Sequence, residues 1–117
     1  MTPIERLRHE FEAEEGTFLL QLRCDLHWDR DAFRRLVDAM QGYLESQRDD
    51  EHLPRWIAEG FWFLGHFVKE WSSHPRFSRP LAQGYYEAGY RRLYDLGWWL
   101  FMGASPYESG TLEAFDA

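Results

Sequence analysis

Three side chains with metal-binding chemistry, His66, Glu70 and His74, recur at four-residue intervals. On a helix this spacing places side chains along one face, as in the paired histidines of some zinc sites. His74 directly precedes Pro75, and the residue before a proline is disfavoured in a helix, so the three are not expected to share one helix. The polar face of an ordinary solvated helix has the same composition. We therefore expect no metal and no cofactor, and retain these three residues only as candidates for a helical metal-dependent enzyme.

The chain contains a single cysteine, Cys24, three residues before His27. A nucleophilic cysteine needs a base close in space and a third group that orients the base, and proximity in sequence supplies neither. A single cysteine also excludes an internal disulfide framework. No Gly-x-Gly-x-x-Gly, Walker or Cys-x-x-Cys motif occurs in the sequence. These observations favour a protein that is not an enzyme.

The formal net charge of −7 is distributed unevenly along the chain. Residues 1–51 hold thirteen acids against seven arginines, whereas residues 52–103 hold four acids against six bases. This balance disfavours nucleic-acid partners, because binding to phosphates requires clustered Lys and Arg. Ordinary solvated helices account for many such acidic stretches. We nevertheless expect one acidic run to steer a basic protein partner, namely Glu10, Glu12, Glu14 and Glu15.

A smaller basic group surrounds the connection between the third and fourth predicted helices: His74, Arg76, Arg79, Arg91 and Arg92. Such a group would suit an anion or an acidic partner segment. We interpret it instead as a structural feature that neutralises the acidic N-terminal helices of the chain itself.

The sequence also indicates a location. Residues 1–6 lack the basic segment and apolar run of a signal peptide. The longest apolar region, Trp56 to Trp71, is interrupted by charged residues and is shorter than the roughly 20 residues of a membrane span. We therefore expect a cytoplasmic protein with no membrane partner.

Periodicity and turn residues predict one all-α domain over residues 1–117, with four helices in bundle-like packing over about 3–26, 29–46, 54–72 and 81–102. Gly16 and Thr17 are a possible break in the first helix. Residues 17–26 also alternate in polarity as a half-buried strand would, but no other segment offers that strand a partner, so we favour a helix. Residues 104–117 are predicted to be a partly ordered acidic tail.

The predicted helices 54–72 and 81–102 are unusually aromatic, because fourteen of the 21 aromatic residues lie between Trp56 and Phe101. We predict that the two helices form an antiparallel pair. Gly60 and Gly97 lie in their apolar stripes, although glycine costs about 1 kcal/mol in a helix interior. We interpret these glycines as the place where the two helices approach closely, or where one helix leaves room for a large ring of the other. In either case, Gly97→Leu is expected to destabilise the fold.

An aromatic patch is predicted on the opposite side of this pair. Antiparallel packing brings Trp62 close to Tyr94 and Trp98, among residues that are otherwise polar. The alternative is that the first two helices cover this surface. Because exposed aromatic clusters often mark interfaces, we predict four aromatic anchors for a partner, namely Trp62, Tyr94, Trp98 and Trp99.

The leading hypothesis is a non-enzymatic protein-interaction module, such as an accessory subunit, an inhibitor or an immunity-type protein, that binds a protein partner or a second copy of itself. A hypothesis from another class is a small-molecule binding protein with an aromatic-lined pocket. A metal-dependent enzyme is the third hypothesis.

Overall fold

The computed structural model describes residues 1–47 and 51–107. These residues form five α-helices: α1 (Pro3–Phe11), α2 (Phe18–Asp25), α3 (Arg30–Ser46), α4 (Arg55–Ser72) and α5 (Gln83–Met102). The prediction of an all-α, bundle-like fold is confirmed. Within the described ranges, no helix has both the length and the apolar character that crossing a bilayer requires.

The predicted first helix is divided into α1 and α2, which is why five helices replace four. Ala13 and Gly16 adopt left-handed φ values of 54° and 84°, which a continuous helix does not allow. Thr17 then caps α2, because its hydroxyl accepts from the Leu20 N–H and donates to the Glu14 carbonyl. The strand considered for residues 17–26 is therefore wrong, since Phe18–Asp25 is helical.

Helices α4 and α5 form the predicted antiparallel pair. The hydroxyls of Ser72 and Tyr90 hydrogen-bond to each other at 2.5 Å, near the end of α4 and in the first half of α5. Phe61, near the start of α4, lies beside Gly97 in the second half of α5. The two helices therefore run in opposite directions.

The arginines around the α4–α5 connection are engaged by neighbouring residues of the chain. Arg79 donates to the Gln83 side chain at 2.9 Å, and its guanidinium lies 4.5 Å from the centre of the Tyr86 ring. Arg91 pairs with Asp95 at 3.1 Å. The partners of Arg79 and Arg91 thus belong to α4 and α5, so the prediction that the basic group neutralises the acidic N-terminal helices is wrong for these two arginines.

An aromatic cluster fills the core between α2, α3 and α5. Its centre is Trp28, which contacts Phe18, Phe33 and Tyr86 with ring centroids 4.8–5.2 Å apart. The Trp28 indole N–H donates to the Tyr85 hydroxyl at 2.9 Å, so the one polar atom of the ring is satisfied. These contacts hold α5 against the start of α3, which sets the position of the α4–α5 pair.

Only one of the two glycines, Gly97, lies where α4 and α5 face each other. A Cβ on Gly60 would lie 2.2 Å from Phe11, so Gly60 makes room for a ring from α1 and not for α5. A Cβ on Gly97 would lie 4.0 Å from the Phe61 carbonyl oxygen, which is ordinary van der Waals contact. The interpretation is therefore wrong for Gly60, whereas Gly97 does face the backbone of α4, with room there for the Cβ of an alanine.

The chain after α5 folds back as far as Tyr107. The Tyr107 hydroxyl donates to the buried Asp95 carboxylate at 2.6 Å, which fixes this segment to α5. The rest of the predicted acidic tail, residues 108–117, lies outside the described residues, as do residues 48–50 of the connection between α3 and α4.

Candidate functional site: an aromatic groove between α4 and α5

A groove with a cavity volume of about 250 Å³ runs along the outer side of α4 and α5. We call it the α4–α5 groove. It is lined by residues of these two helices only: Phe61, Trp62, Gly65, His66, Leu93, Tyr94, Gly97, Trp98, Phe101 and Met102. No carboxylate, lysine or arginine is among them, so the groove is apolar and aromatic with one imidazole.

The α4–α5 groove is open to solvent. Trp62 is 58% exposed, Tyr94 60% and Trp98 37%, while Phe101 and Met102 are exposed to 50% and 64%. The structure thus brings Trp62, Tyr94 and Trp98 together as predicted. The alternative that the first two helices cover this surface is wrong, because α1 and α2 pack against α3 and against a different face of α4, where Gly60 receives Phe11.

Two glycines form part of the floor of the groove. A Cβ on Gly65 would meet no atom within 4 Å, and one on Gly97 would make only ordinary contact. Packing within the chain therefore does not require glycine at either position, although each costs about 1 kcal/mol of helix stability relative to alanine. What the two glycines do preserve is the depth of the groove. Gly42 on α3 is equally open and lies outside the groove, so it provides a matched control.

His66 holds Trp62 in place at the edge of the groove. The two rings are tilted by 31° with centroids 4.6 Å apart. His66 Nδ1 also lies 2.7 Å from the Trp62 carbonyl oxygen, and because a carbonyl only accepts, Nδ1 is the donor. These contacts restrict the rotamers of the Trp62 and His66 side chains, so a partner that binds Trp62 causes a smaller loss of side-chain entropy.

The metal candidates are not brought together. His66 faces the groove, and His74 lies beyond the end of α4, where its Nδ1 accepts from the Arg76 N–H at 3.2 Å. Glu70 is exposed on α4 one turn beyond His66. Across residues 1–47 and 51–107, no group of three His, Cys, Asp or Glu side chains is arranged to hold a metal ion.

Charged residues of both signs stand at one end of the groove. On α4 these are Lys69 and Glu70, both exposed. On α5 they are Glu87 and Arg91, which are also exposed. The Arg91 guanidinium lies 5.7 Å from the centre of the Tyr94 ring, and its Nε contacts Asp95. A partner that fills the apolar groove would therefore meet ion-pairing groups at this end.

One predicted anchor lies elsewhere. Trp99 is half-buried and packs against the core, because its position one residue after Trp98 turns it away from the groove. Phe101 and Met102 take its place in the groove. Phe101 and Met102 follow Trp98 by three and four residues, so helical periodicity alone could have placed them on the same face as Trp98.

The predicted acidic run does not form one steering surface. Glu12 pairs with Arg8 at 3.8 Å, Glu14 contacts His9, and Glu15 is exposed. Glu10 is only 5% exposed, which contradicts its predicted role as a partner-binding charge. All four lie on α1 and the turn after it, outside the residues that line the groove.

Glu10 is instead an unusual buried carboxyl. Its Oε1 has no hydrogen-bond partner among the described residues. Burial raises its pKa, and the nearby charges of His9 and Arg35 offset only part of that effect. The side chain lines a second cavity, of about 510 Å³, between α1 and α3. Sequence alone did not indicate this, because Glu10 lies within a run of acids that looks solvated.

Comparisons with protein-family models, with curated proteins and with solved structures gave no match, so the functional argument rests on the residues of the chain itself.

Proposed function

We propose that this chain is a non-enzymatic protein-interaction module that docks another polypeptide on the α4–α5 groove. The observation that supports this proposal is the row of five large apolar side chains, each between 37% and 64% exposed, along one face of the helix pair. Contiguous apolar surface of this kind marks interfaces, and aromatic side chains supply a large share of their binding energy.

The size and shape of the groove favour a polypeptide over a small molecule. Small-molecule sites are commonly concave cavities of about 300–1,000 Å³ that enclose most of the ligand. The α4–α5 groove holds about 250 Å³ and lies open along its length. A helix laid into a groove needs only a row of apolar contacts at successive turns, which Trp62, Tyr94 and Trp98 offer.

The proposal covers an accessory subunit, an inhibitor and an immunity-type protein, which share the need for such a surface. We place the module in the cytoplasm, on the grounds of its single cysteine. Glu12, Glu14 and Glu15 remain available to steer a basic region of the partner, although Glu12 already pairs with Arg8 and Glu14 already contacts His9.

Site-specific photo-crosslinking in the native cells tests the proposal. A photoreactive phenylalanine analogue replaces Trp62 or Trp98 in turn, and Asp31, exposed on α3, is the control position. We expect the same protein adduct from the two groove positions and none of that mass from position 31. An adduct that forms equally well from position 31, or no adduct from either groove position, would contradict the proposal.

A further inference from the structure

The exposed surface of the α4–α5 groove supplies more than half of what one side of a dimer interface needs. Its five exposed apolar residues are on average about half exposed, so at roughly 200 Å² per side chain they present about 500 Å². A stable interface buries about 800 Å² on each partner. The charged residues at the end of the groove supply further area, and they carry both signs, as a surface that contacts itself requires.

The antiparallel packing determines which residues of α4 and α5 lie at the same level along the pair. Phe61 lies level with Gly97, and Ser72 lies level with Tyr90. Because the helices run in opposite directions, Trp62 is level with Gly97 and Trp98. By the same progression, Glu70 near the end of α4 is level with Arg91.

This register makes the face complementary to itself. A two-fold axis parallel to the helices places α4 of one copy on α5 of the other at the same level. The exposed Trp62 ring then meets the second copy's Gly97, where the groove has no side chain. Tyr94 in turn lies over the region of the second copy's Gly65. Large side chains thus enter depressions, as in the knobs-into-holes packing of helical bundles.

Two of the charged residues at the end of the groove, Glu70 and Arg91, agree with the same arrangement. Glu70 lies on the outer edge of α4, one turn beyond His66, and Arg91 lies on the outer edge of α5 with its side chain 75% exposed. The two-fold axis brings Glu70 of each copy to the level of the second copy's Arg91, which makes two opposite-charge pairs. Lys69, two turns after Trp62, reaches the same level and adds a like charge beside each pair. An axis perpendicular to the helices would instead stack α4 on α4 and leave these two residues at opposite edges.

We propose that the occupant of the α4–α5 groove is the same groove of a second copy, so that two α4–α5 pairs form an intermolecular four-helix bundle. This inference rests on the proposed function and names the partner at that surface. Isologous pairing of one patch with itself is the commonest way in which soluble chains associate.

Charge exchange between two variants tests the inference. Glu70→Arg and Arg91→Glu are made separately, and sedimentation equilibrium measures the dimer dissociation constant of each and of their equimolar mixture. Each single variant places like charges at both pairs, so we expect dimerisation about tenfold weaker than that of the parent. The mixture re-forms two opposite-charge pairs, and we expect a heterodimer about as stable as the parent dimer. Glu45→Arg, exposed on α3, is the matched control and should dimerise as the parent does.

Folding of each variant is checked by thermal denaturation, because Arg91→Glu also removes the contact with Asp95. Trp62→Ser adds a test that is independent of charge and should give a monomer. A parent protein that is monomeric at about 100 μM would overturn the inference, as would a dimer that survives Trp62→Ser or that shows no charge exchange. A monomer whose position 62 still crosslinks to a different protein would overturn only the identity of the partner. A monomer without crosslinks would overturn the proposed function as well.

Discussion

Alanine substitutions at three helix glycines should have opposite effects on stability, although their sequence contexts look alike. At Gly97 a Cβ fits at ordinary contact distance, so alanine should raise the free energy of unfolding by about 0.5–1 kcal/mol through helix propensity. At Gly42, where a Cβ meets nothing within 4 Å, the same gain is expected. At Gly60 a Cβ would lie 2.2 Å from Phe11, and displacing that ring should cost about 1–3 kcal/mol.

The assay is urea denaturation of the three variants and the parent at low protein concentration, followed by circular dichroism, so that self-association does not contribute. For a chain of this size a change of 1 kcal/mol corresponds to about 4 °C in Tm, which is easily resolved. A destabilised Gly97→Ala variant, or a Gly60→Ala variant as stable as the parent, would refute the placement of the two glycines. A binding measurement then distinguishes the Gly97→Ala variant from the Gly42→Ala variant. Both variants should be more stable, but only Gly97→Ala should weaken docking, because it makes the floor of the groove shallower.

Three further outcomes are expected elsewhere in the fold. Because the folded-state pKa of Glu10 is raised above the ordinary 4.5, its contribution to stability is present below pH 4.5 and is lost as the pH rises through the raised pKa. Glu10→Gln should therefore be as stable as the parent at low pH. Above the raised pKa of Glu10, the free energy of unfolding of the variant should exceed that of the parent by about 1 kcal/mol, in denaturation curves measured across pH. Tyr107→Phe should lose about 1–2 kcal/mol, because it removes the donor to buried Asp95; an unchanged urea midpoint would show that this hydrogen bond does not form. Trp28→Phe should lose about 2 kcal/mol or more, because it removes core volume and the hydrogen bond to Tyr85; near-UV circular dichroism would show whether the aromatic cluster stays packed.

Much of the helical architecture could be predicted from hydrophobic periodicity and from the residues typical of helix ends. The predicted pair over 54–72 and 81–102 differs from α4 and α5 by at most two residues at each end. Proline before α4 and the left-handed Gly103 after α5 account for this agreement. The break after α1 was harder to locate. One of its left-handed residues is Ala13, and an alanine in that conformation has no sequence signature.

The features of the site that depend only on the pairing of α4 with α5 were predicted, whereas the features that depend on the packing of α1 were missed. Trp62 and Trp98 were placed together because antiparallel pairing alone decides their proximity. The role of Gly60 was missed because its neighbour, Phe11, belongs to α1. Burial of Glu10 likewise results from the packing of α1 on α3, which no local pattern of charges reveals.

Hydroxyl-radical footprinting tests the central claim most directly, because it needs no knowledge of the partner. Oxidation of the exposed groove residues is measured by mass spectrometry in intact native cells and in dilute purified protein. We expect Trp62, Tyr94 and Trp98 to be protected in cells relative to Met1, which is exposed away from the groove. Equal oxidation of the groove residues in both samples would contradict the claim that the α4–α5 groove is a protein-binding surface.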